Sequence, residues 1–306
     1  MKLGDPTTGL KGIALENVYL EGDRLEDHRR FWDRSAEIDA VRAVADSATE
    51  ESFATSGVPD RAALEPLMSP DSVVLEIGCG AGRIMMHLAR HCRELHGIDL
   101  SPAMVEQARK RVAGLPNAQL HVGNGYDLAE FGDDRFDVVY ANFVFQHVPK
   151  TTVYNYLVEA RRVLRPGGLF RFSVPNILRP DHLEEFRFFT QPHFVTEPFP
   201  MHFYAPSELC LLLTDTGFVV EELTDYMSVH ARKAEPAGLA PGVTELVAGW
   251  EGVGRDLAAD NAALRSENLV LRNELDRLRS HPVVKAGRRL RRWMRSSRQP
   301  DAGRAT

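Results

Sequence analysis

The sequence predicts an α/β fold whose core is a doubly wound, mostly parallel β-sheet of seven strands with an antiparallel last strand. Two observations carry this prediction. From Asp71 onward, short apolar segments alternate with helix-like segments, which is the pattern of strands joined by crossover helices. The last two apolar segments, 218–223 and 227–233, are too close together for a crossover helix, so we expect them to pair antiparallel.

The individual elements follow from local signals along the chain. Apolar, β-branched runs predict strands at 73–77, 94–98, 118–122, 136–140, 169–174, 218–223 and 227–233. Helices are predicted at about 82–92, from Ser101–Pro102 onward, at 150–164 and at 206–216. Serine is a favourable N-cap and proline a favourable first helical residue, which places the start of the second of these helices.

Composition and pattern divide the chain into five parts. Residues 1–70 are predicted to be an N-terminal helical cap that either packs against the sheet or forms a lid over a ligand pocket. The sheet domain is predicted over 71–235, and it contains an insert at 175–205. A linker is expected over 236–254, a coiled-coil helix over 255–280 and a basic amphipathic tail over 281–306.

The composition excludes several classes of protein. The chain of 306 residues contains three distant cysteines in no metal-ligand spacing, which favours a reducing compartment and argues against a zinc site. We see no signal peptide and no membrane-spanning run, so a cytoplasmic location is expected. The net charge of −6 combines a +7 tail at 281–306 with a body of −13, and an acidic body argues against nucleic acid as a partner.

A glycine-rich turn follows the first predicted strand. Gly78, Gly80 and Gly82 end the apolar run 73–77, and residues 83–90 continue with helical spacing. A turn of this kind lets a ligand approach the backbone and the helix N-terminus, although a simple strand-to-helix turn is the alternative. The spacing E-x-G-x-G-x-G differs from the G-x-G-x-x-G of dinucleotide folds. Asp99, at the end of the second strand, can accept hydrogen bonds from both hydroxyls of an adenosine ribose, as acids in NAD proteins also do.

Five ordered motifs carry a resemblance to a known family. They are VLEIGCGAGR, HGIDLSPAMVEQAR, GNGYDL, FDVVYANFVFQHV and EARRVLRPGGLFRFSVPN. With them, the segment 71–235 resembles the class I S-adenosylmethionine-dependent methyltransferases. A looser similarity covers Phe31–Trp32–Asp33 and the region from Phe53 to Gly57. The resemblance implies a Rossmann-like sheet with an antiparallel last strand and S-adenosyl-L-methionine as the cofactor.

The resemblance also implies which residues bind the cofactor. Glu76 would face the methionine amino group, Asp99 would hold the ribose hydroxyls, and the three glycines would let the backbone approach. The complete implied set is Glu76, Gly78, Gly80, Gly82, Asp99, Leu100, Met104, Asn124, Gly125, Tyr126, Asn142 and Phe143.

Two of these positions have a second interpretation. The family often has aspartate where this chain has Asn124, whose side-chain oxygen can still accept a hydrogen bond from the adenine amino group, but without charge. Tyr126 could stack on adenine or be a half-buried structural tyrosine.

Candidate catalytic residues lie after the fourth strand and in the insert. His147 could accept a hydroxyl proton near neutral pH or hydrogen-bond a loop carbonyl instead. The insert 175–205 is rich in phenylalanine and histidine, so we expect it to form the acceptor-pocket wall; a hydrophobic plug is the alternative. Its His202 and Tyr204 are further candidates for the base. Because the histidine spacing is irregular, we expect no metal site.

The C-terminal region has a heptad pattern. Leucines 257, 264, 271 and 278 occupy d positions, with Asn261 and Asn268 at a, which favours a parallel homodimer through 255–280. Arginines alternate with Val, Leu, Trp and Met over 283–295, a pattern suited to peripheral contact with an anionic membrane at its inner face; a solvated tail is the alternative.

Together these features predict a methyltransferase that O-methylates a sugar or glycan-type hydroxyl acceptor. The weak resemblance of the tail to bacterial enzymes of cell-surface polysaccharide assembly favours that acceptor class. A small secondary metabolite or lipid is the alternative acceptor. An inactive scaffold that recruits partners through its coiled coil is the alternative from another class.

Overall fold

A twisted β-sheet with helices on both faces organises the computed structural model of the protein. The structure describes residues 24–45, 47, 49–189, 201–224, 227–235 and 237–256. The strands in these ranges are β1 Val73–Ile77, β2 Glu94–Asp99, β3 Ala118–Val122, β4 Phe136–Ala141, β5 Leu164–Ser173, β6 Phe218–Leu223, β7 Ser228–Lys233 and β8 Gly238–Leu239. They form one sheet in the order β3-β2-β1-β4-β5-β7-β6-β8.

The strand directions confirm a mostly parallel sheet with an antiparallel part. Strands β1 to β5 pair in parallel, whereas β7 is antiparallel to both β5 and β6. The expected number of seven strands is wrong, because the two-residue strand β8 adds to the sheet beside β6. This strand lies in the stretch 236–254 that we expected to be a linker, and residues 241–250 after it are helical. Val243, Leu246 and Val247 hold that helix on the core through apolar contacts that a linker would lack.

Helices cover both faces of the sheet. They are α1 Arg24–Ala45, α2 Glu50–Ser56, α3 Val58–Leu64, α4 Met85–Leu88, α5 Pro102–Val112, α6 Lys150–Val163, α7 Pro180–Phe189 and α8 Pro206–Asp215, with short 3₁₀ turns at Glu65–Leu67, Ala89–His91 and Phe145–His147. The helix expected from residue 82 begins only at Met85, because Gly82 has a φ of +82° that a right-handed helix does not accommodate.

Helix α1 confirms helical structure in the described part of the N-terminal region, and it consists of two halves. Its path is broken at Asp39, where φ is −165° and ψ is 87°. The Asp39 carboxylate accepts a hydrogen bond of 3.0 Å from the backbone N–H of Arg42. The second half of the helix therefore starts with an N-cap of its own.

Strand β1 lies at the centre of the core and is buried on both faces. Val73, Leu75 and Ile77 face the side packed by α6 and α8, while Val74 faces the side packed by α4 and α5. Burial on both faces explains why every residue of the strand except Glu76 is apolar.

Several predicted features lie outside the described residues. These are part of the insert, 190–200, the heptad leucines and asparagines of 255–280, and the basic tail 281–306, so the coiled-coil dimer and the membrane contact stay predictions. The chain divides between residues 250 and 251, and residues 251–256, the described part of the second unit, are helical. Among the described helices, none has the length and hydrophobicity needed to cross a bilayer.

The junction between α2 and α3 offers a test of the packing. A Cβ atom on Gly57 would lie 2.4 Å from the backbone oxygen of Arg83, so Gly57→Ala must displace the loop after β1. We expect this substitution to lower the free energy of unfolding by about 1–3 kcal/mol in urea denaturation. Gly114→Ala is the matched control, because a Cβ there meets nothing within 4 Å, and it should change the stability by less than about 0.5 kcal/mol. Equal urea midpoints for Gly57→Ala and Gly114→Ala would contradict the close approach of Gly57 to the Arg83 backbone oxygen.

Candidate active site

One cavity of about 370 Å³ opens at the carboxyl ends of β1, β2 and β4. Ligands bind at this edge in open parallel sheets, and the volume is within the range of small-molecule sites. Its polar lining includes Glu76, Asp99, Asn142, Gln146 and His147. The cavity therefore combines two acids with two amides and an imidazole.

The turn after β1 forms the floor of this cavity. Gly78 has a φ of +68°, and a Cβ there would lie 2.5 Å from the side chain of Val144, so only glycine fits. The backbone N–H groups of Gly78 and Cys79 both donate to the carbonyl oxygen of Ile98, at 2.8 and 3.1 Å. These bonds fix the turn against the end of β2 and leave Gly80 on the cavity surface.

The Asp99 carboxylate connects β2 to the glycine turn and to α5. Oδ2 accepts a hydrogen bond of 2.8 Å from the Gly80 N–H, and Oδ1 accepts one of 2.9 Å from the Ser101 N–H. Burial raises the pKa of Asp99, and these two backbone donors oppose that rise. Each carboxylate oxygen has a further lone pair available, so the group can hold a ligand with two hydroxyls.

Glu76 is a buried acid on the cavity wall, with 3% of its surface exposed. The Tyr140 hydroxyl donates to its Oε2 at 2.8 Å. Burial raises the pKa of Glu76 to about 8, because desolvation outweighs that hydrogen bond and the charge of Arg83. The carboxyl group is therefore mostly protonated at neutral pH, and a cationic ligand group beside it would favour the anion.

Helix α1 forms one wall of the cavity through Leu25, His28, Trp32 and residues 43–45. The Trp32 ring meets the His147 ring edge-on, with 5.9 Å between centroids. The N-terminal region thus supplies part of the ligand wall in addition to packing on the domain. The sequence gave Trp32 only a loose family similarity and gave no signal for His28.

His147 lies on the cavity beside Gln146. Burial lowers the pKa of His147 to about 4, and the charges of His202 and His28 add to the effect. Its Nε2 is 3.2 Å from Nε2 of Gln146. Because an amide nitrogen only donates, the imidazole Nε2 must be the acceptor and carries a lone pair. His147 is therefore a neutral hydrogen-bond acceptor at physiological pH.

Comparison with known proteins identifies the central segment of the chain. Residues 74–168, which include β1, the glycine turn, Asp99 and β4, match the family model of a methyltransferase domain. This segment is a class I S-adenosylmethionine-dependent methyltransferase domain.

Relatives of the methyltransferase domain differ widely in their described roles. An uncharacterised 37.1 kDa protein in transposon TN4556 of Streptomyces fradiae is 35% identical over 55% of this chain and 49% of its own. Malonyl-[acyl-carrier protein] O-methyltransferase of Halorhodospira halophila is 31% identical over 52% of this chain and 50% of its own. The chain therefore spans about half the length of these curated relatives.

A solved structure shares the fold. Phosphoethanolamine N-methyltransferase 1 of Haemonchus contortus, in complex with phosphoethanolamine and S-adenosylhomocysteine, superposes with a TM-score of 0.53 at 18% identity. The match covers 76% of this chain and 54% of that protein. At this level of identity the likeness shows a shared fold alone.

The cofactor residues implied by the family divide into two groups. Nine line the cavity: Glu76, Gly78, Gly80, Asp99, Leu100, Met104, Gly125, Asn142 and Phe143. Gly82, Asn124 and Tyr126 are not in the lining. Gly82 lies against α5, where an added Cβ would be 3.2 Å from the Cα of Ala108, so it serves helix packing.

Asn124 is held in a local turn of the methyltransferase domain. Its Oδ1 accepts from the backbone N–H groups of Tyr126 and Asp127, at 2.8 and 3.0 Å. This side-chain oxygen, which the family pattern assigns to adenine, is engaged by the chain itself. Tyr126 is 46% exposed and stands outside the cavity.

The three candidate bases are not equivalent in the structure. His147 lines the cavity, whereas His202 and Tyr204 do not. Tyr204 is fully buried, its hydroxyl donates to the Phe145 carbonyl oxygen at 3.4 Å, and burial raises the pKa of Tyr204. The backbone N–H of His202 donates to the backbone carbonyl oxygen of Gln146 at 2.7 Å. In the part of the chain that the structure describes, no cluster of three His, Cys, Asp or Glu is arranged for a metal.

The residues present fit S-adenosyl-L-methionine, the cofactor of the domain. Asp99 retains lone pairs for two ribose hydroxyls, and Glu76 offers a buried carboxyl for an ammonium group. Asn142 also lines the cavity. Its Oδ1 accepts hydrogen bonds from Arg171 Nη1 and Ser173 Oγ, at 3.1 and 3.3 Å. Its Nδ2 is buried and has no hydrogen-bond partner among the described residues.

Glu76 makes the stability of the ligand-free protein depend on pH. Between the usual pKa of 4.5 and about 8, the folded state holds a proton that the unfolded state has released. The free energy of unfolding should therefore fall as pH rises through this window, by up to about 1.4 kcal/mol per pH unit. Glu76→Gln removes this contribution. Urea denaturation of the wild type and Glu76→Gln from pH 5 to 9 measures this contribution. If the free energy of unfolding depends on pH in the same way in both proteins, the raised pKa of Glu76 is refuted.

Proposed function

We propose that the protein is an S-adenosylmethionine-dependent O-methyltransferase whose acceptor is a hydroxyl group of a sugar or glycan-type molecule. One observation carries this proposal: a single cavity joins the carboxyl groups of Glu76 and Asp99 to the neutral imidazole of His147. The first two suit the cofactor, and the third suits a hydroxyl acceptor. All three lie at the edge of the sheet where parallel folds bind ligands.

The cofactor would be held by charge and backbone together. Asp99 would accept the two ribose hydroxyls in a bidentate contact, since its oxygens are already aligned by the Gly80 and Ser101 N–H groups. Glu76 would ionise beside the methionine ammonium group, which compensates its burial. Leu100 and Met104 would provide apolar contacts to the adenine.

S-adenosylmethionine supplies a methyl group bonded to a positively charged sulfur. The chain's contribution is to place the acceptor oxygen in line with that methyl group and to hold the acceptor's proton. His147 can do this at Nε2, where an acceptor hydroxyl would replace the Gln146 amide as the donor. A pKa of about 4 makes His147 a weak base, so its main effect is to orient the hydroxyl before transfer.

The acceptor end of the cavity combines an aromatic surface with hydrogen-bonding groups. Trp32 presents an aromatic ring, and Gln146 and His147 present polar atoms. This combination supports a ring-shaped molecule with apolar faces and hydroxyl edges, as a sugar has. The Halorhodospira relative is named for an acyl-carrier-protein substrate, so small metabolites and lipids belong among the tested acceptors. The retained Glu76 and Asp99 speak against an inactive scaffold.

Two measurements test the proposal. Calorimetry with S-adenosylhomocysteine should show binding, and absence of binding at millimolar ligand would overturn the enzyme assignment. A methyl-transfer screen with labelled S-adenosylmethionine over sugars, nucleotide sugars, lipid-linked glycans, carboxylic acids and amines then identifies the acceptor. Transfer to amines or carboxylic acids alone would overturn the hydroxyl acceptor while leaving the methyltransferase assignment intact.

Replacing the ribose-binding acid should weaken the cofactor complex. Asp99→Ala removes charge-assisted hydrogen bonds, so we expect S-adenosylhomocysteine to bind about 1–3 kcal/mol more weakly in calorimetry. Asp71→Ala is the matched control, because Asp71 is exposed and outside the cavity. Equal affinities for both variants would refute the assignment of Asp99.

Replacing the imidazole should affect transfer more than cofactor binding. His147→Ala should lower kcat for the acceptor found in the screen by about 10- to 100-fold, with unchanged affinity for S-adenosylhomocysteine. His91→Ala, a histidine away from the cavity, serves as the control. If His202→Ala lowers kcat while His147→Ala does not, the assignment of the base to His147 is wrong.

A further inference from the structure

Asp33 connects the N-terminal helix α1 to the first turn of α5. Its Oδ1 accepts hydrogen bonds from the Ser101 hydroxyl at 2.6 Å and from the Ala103 N–H at 3.1 Å. Ser101 is fully buried and is the N-cap of α5, where its Oγ accepts from the Met104 N–H at 3.0 Å. The Ser101 proton must therefore point to Asp33, and the hydroxyl has both a donor and an acceptor bond.

Ser101 also holds the ribose-binding acid. Its backbone N–H donates to Asp99 Oδ1, while Asp99 Oδ2 accepts from Gly80. A continuous series of hydrogen bonds therefore runs from Asp33 through Ser101 and Asp99 to the glycine turn. The two carboxylates share one serine, and the charge of Asp33 contributes to the raised pKa of Asp99.

The helix that carries Asp33 also forms the acceptor end of the cavity. Trp32 is the preceding residue, and its ring meets His147. His28 lies one turn earlier on the same lining surface. Ala36 and Ala40 of α1 are packed in one cluster with Met104 of α5, and Met104 lines the cavity as well. A shift of α1 on α5 would therefore change the ribose site and the acceptor wall together.

We propose that Asp33 is a positioning residue that couples cofactor binding at Asp99 to the packing of α1 on α5. This packing sets the position of the α1 wall at the acceptor site. The inference rests on the proposed function, because it requires the cofactor at Asp99. A ligand that fixes Asp99 and Met104 favours the position in which α1 packs on α5. That position of α1 favours binding of the ligand to the same extent. By the same reciprocity, the cofactor and an acceptor that contacts the α1 wall would strengthen each other's binding.

Hydrogen–deuterium exchange of the full chain, with and without saturating S-adenosylhomocysteine, tests the coupling. In the wild type, the ligand should slow exchange of the α1 amides. The increment is the additional protection of the α1 amides from exchange when the ligand is bound. In Asp33→Ala this increment should be lost, and the affinity for S-adenosylhomocysteine should fall about tenfold. Asp33→Asn keeps an oxygen acceptor for Ser101 and Ala103 and should restore most of the increment. Glu37→Ala, an exposed acid on the same helix, should behave as the wild type.

The outcomes separate coupling from simple structural support. If Asp33 only stabilises the helix, Asp33→Ala speeds exchange equally with and without ligand and leaves the increment unchanged, which overturns the proposal. An increment lost equally in Glu37→Ala also overturns it. Binding by the wild type without any change in α1 refutes the coupling alone, whereas no binding refutes the proposed function and the coupling with it.

Discussion

The site depends on one carboxylate that joins three parts of the chain. Asp99 ends β2, accepts a hydrogen bond from the turn after β1 and accepts another from the start of α5. A buried acid is stable only when its oxygens are satisfied, so the two backbone donors and the carboxylate require one another. The glycine turn, the second strand and the helix after it are thereby fixed in one geometry. The rest of the cavity is arranged around this fixed point.

The charge distribution of the cavity follows from burial. Glu76 holds a proton at neutral pH, and His147 does not. Both groups avoid charge in the ligand-free state, because transfer of an ion from water into a buried site is costly. A cationic ligand changes that balance at Glu76, whereas His147 remains a neutral acceptor. One cavity can therefore receive a cationic molecule, with ionisation of Glu76, and an uncharged hydroxyl, with His147 remaining neutral.

The central sheet and the cofactor end of the site could be predicted from the sequence, because their signals are local. The run 73–77, the glycines after it and the acid at Asp99 are each set by neighbours within a few residues. The edge strand β8 escaped prediction, since two residues carry no periodicity and pairing with β6 decides their conformation. The contribution of His28 and Trp32 to the cavity depends on how α1 packs on α5, which is a long-range contact. At Asn124 a local contact was missed instead. The family pattern assigns its side-chain oxygen to the ligand, whereas in the structure that oxygen accepts hydrogen bonds within a turn of the chain.

The wall supplied by α1 lies before residue 74, outside the segment that matches the methyltransferase domain. The cavity lining is therefore drawn from two stretches of the chain, the α1 residues and the strand ends of the matched segment. Substitutions at Leu25, His28 or Trp32 would alter the cavity wall directly, whereas those at Asp33, Ala36 or Ala40 would also disturb α5 beside Asp99. The wall can therefore vary with an intact Asp99 site only at the α1 positions that do not pack on α5.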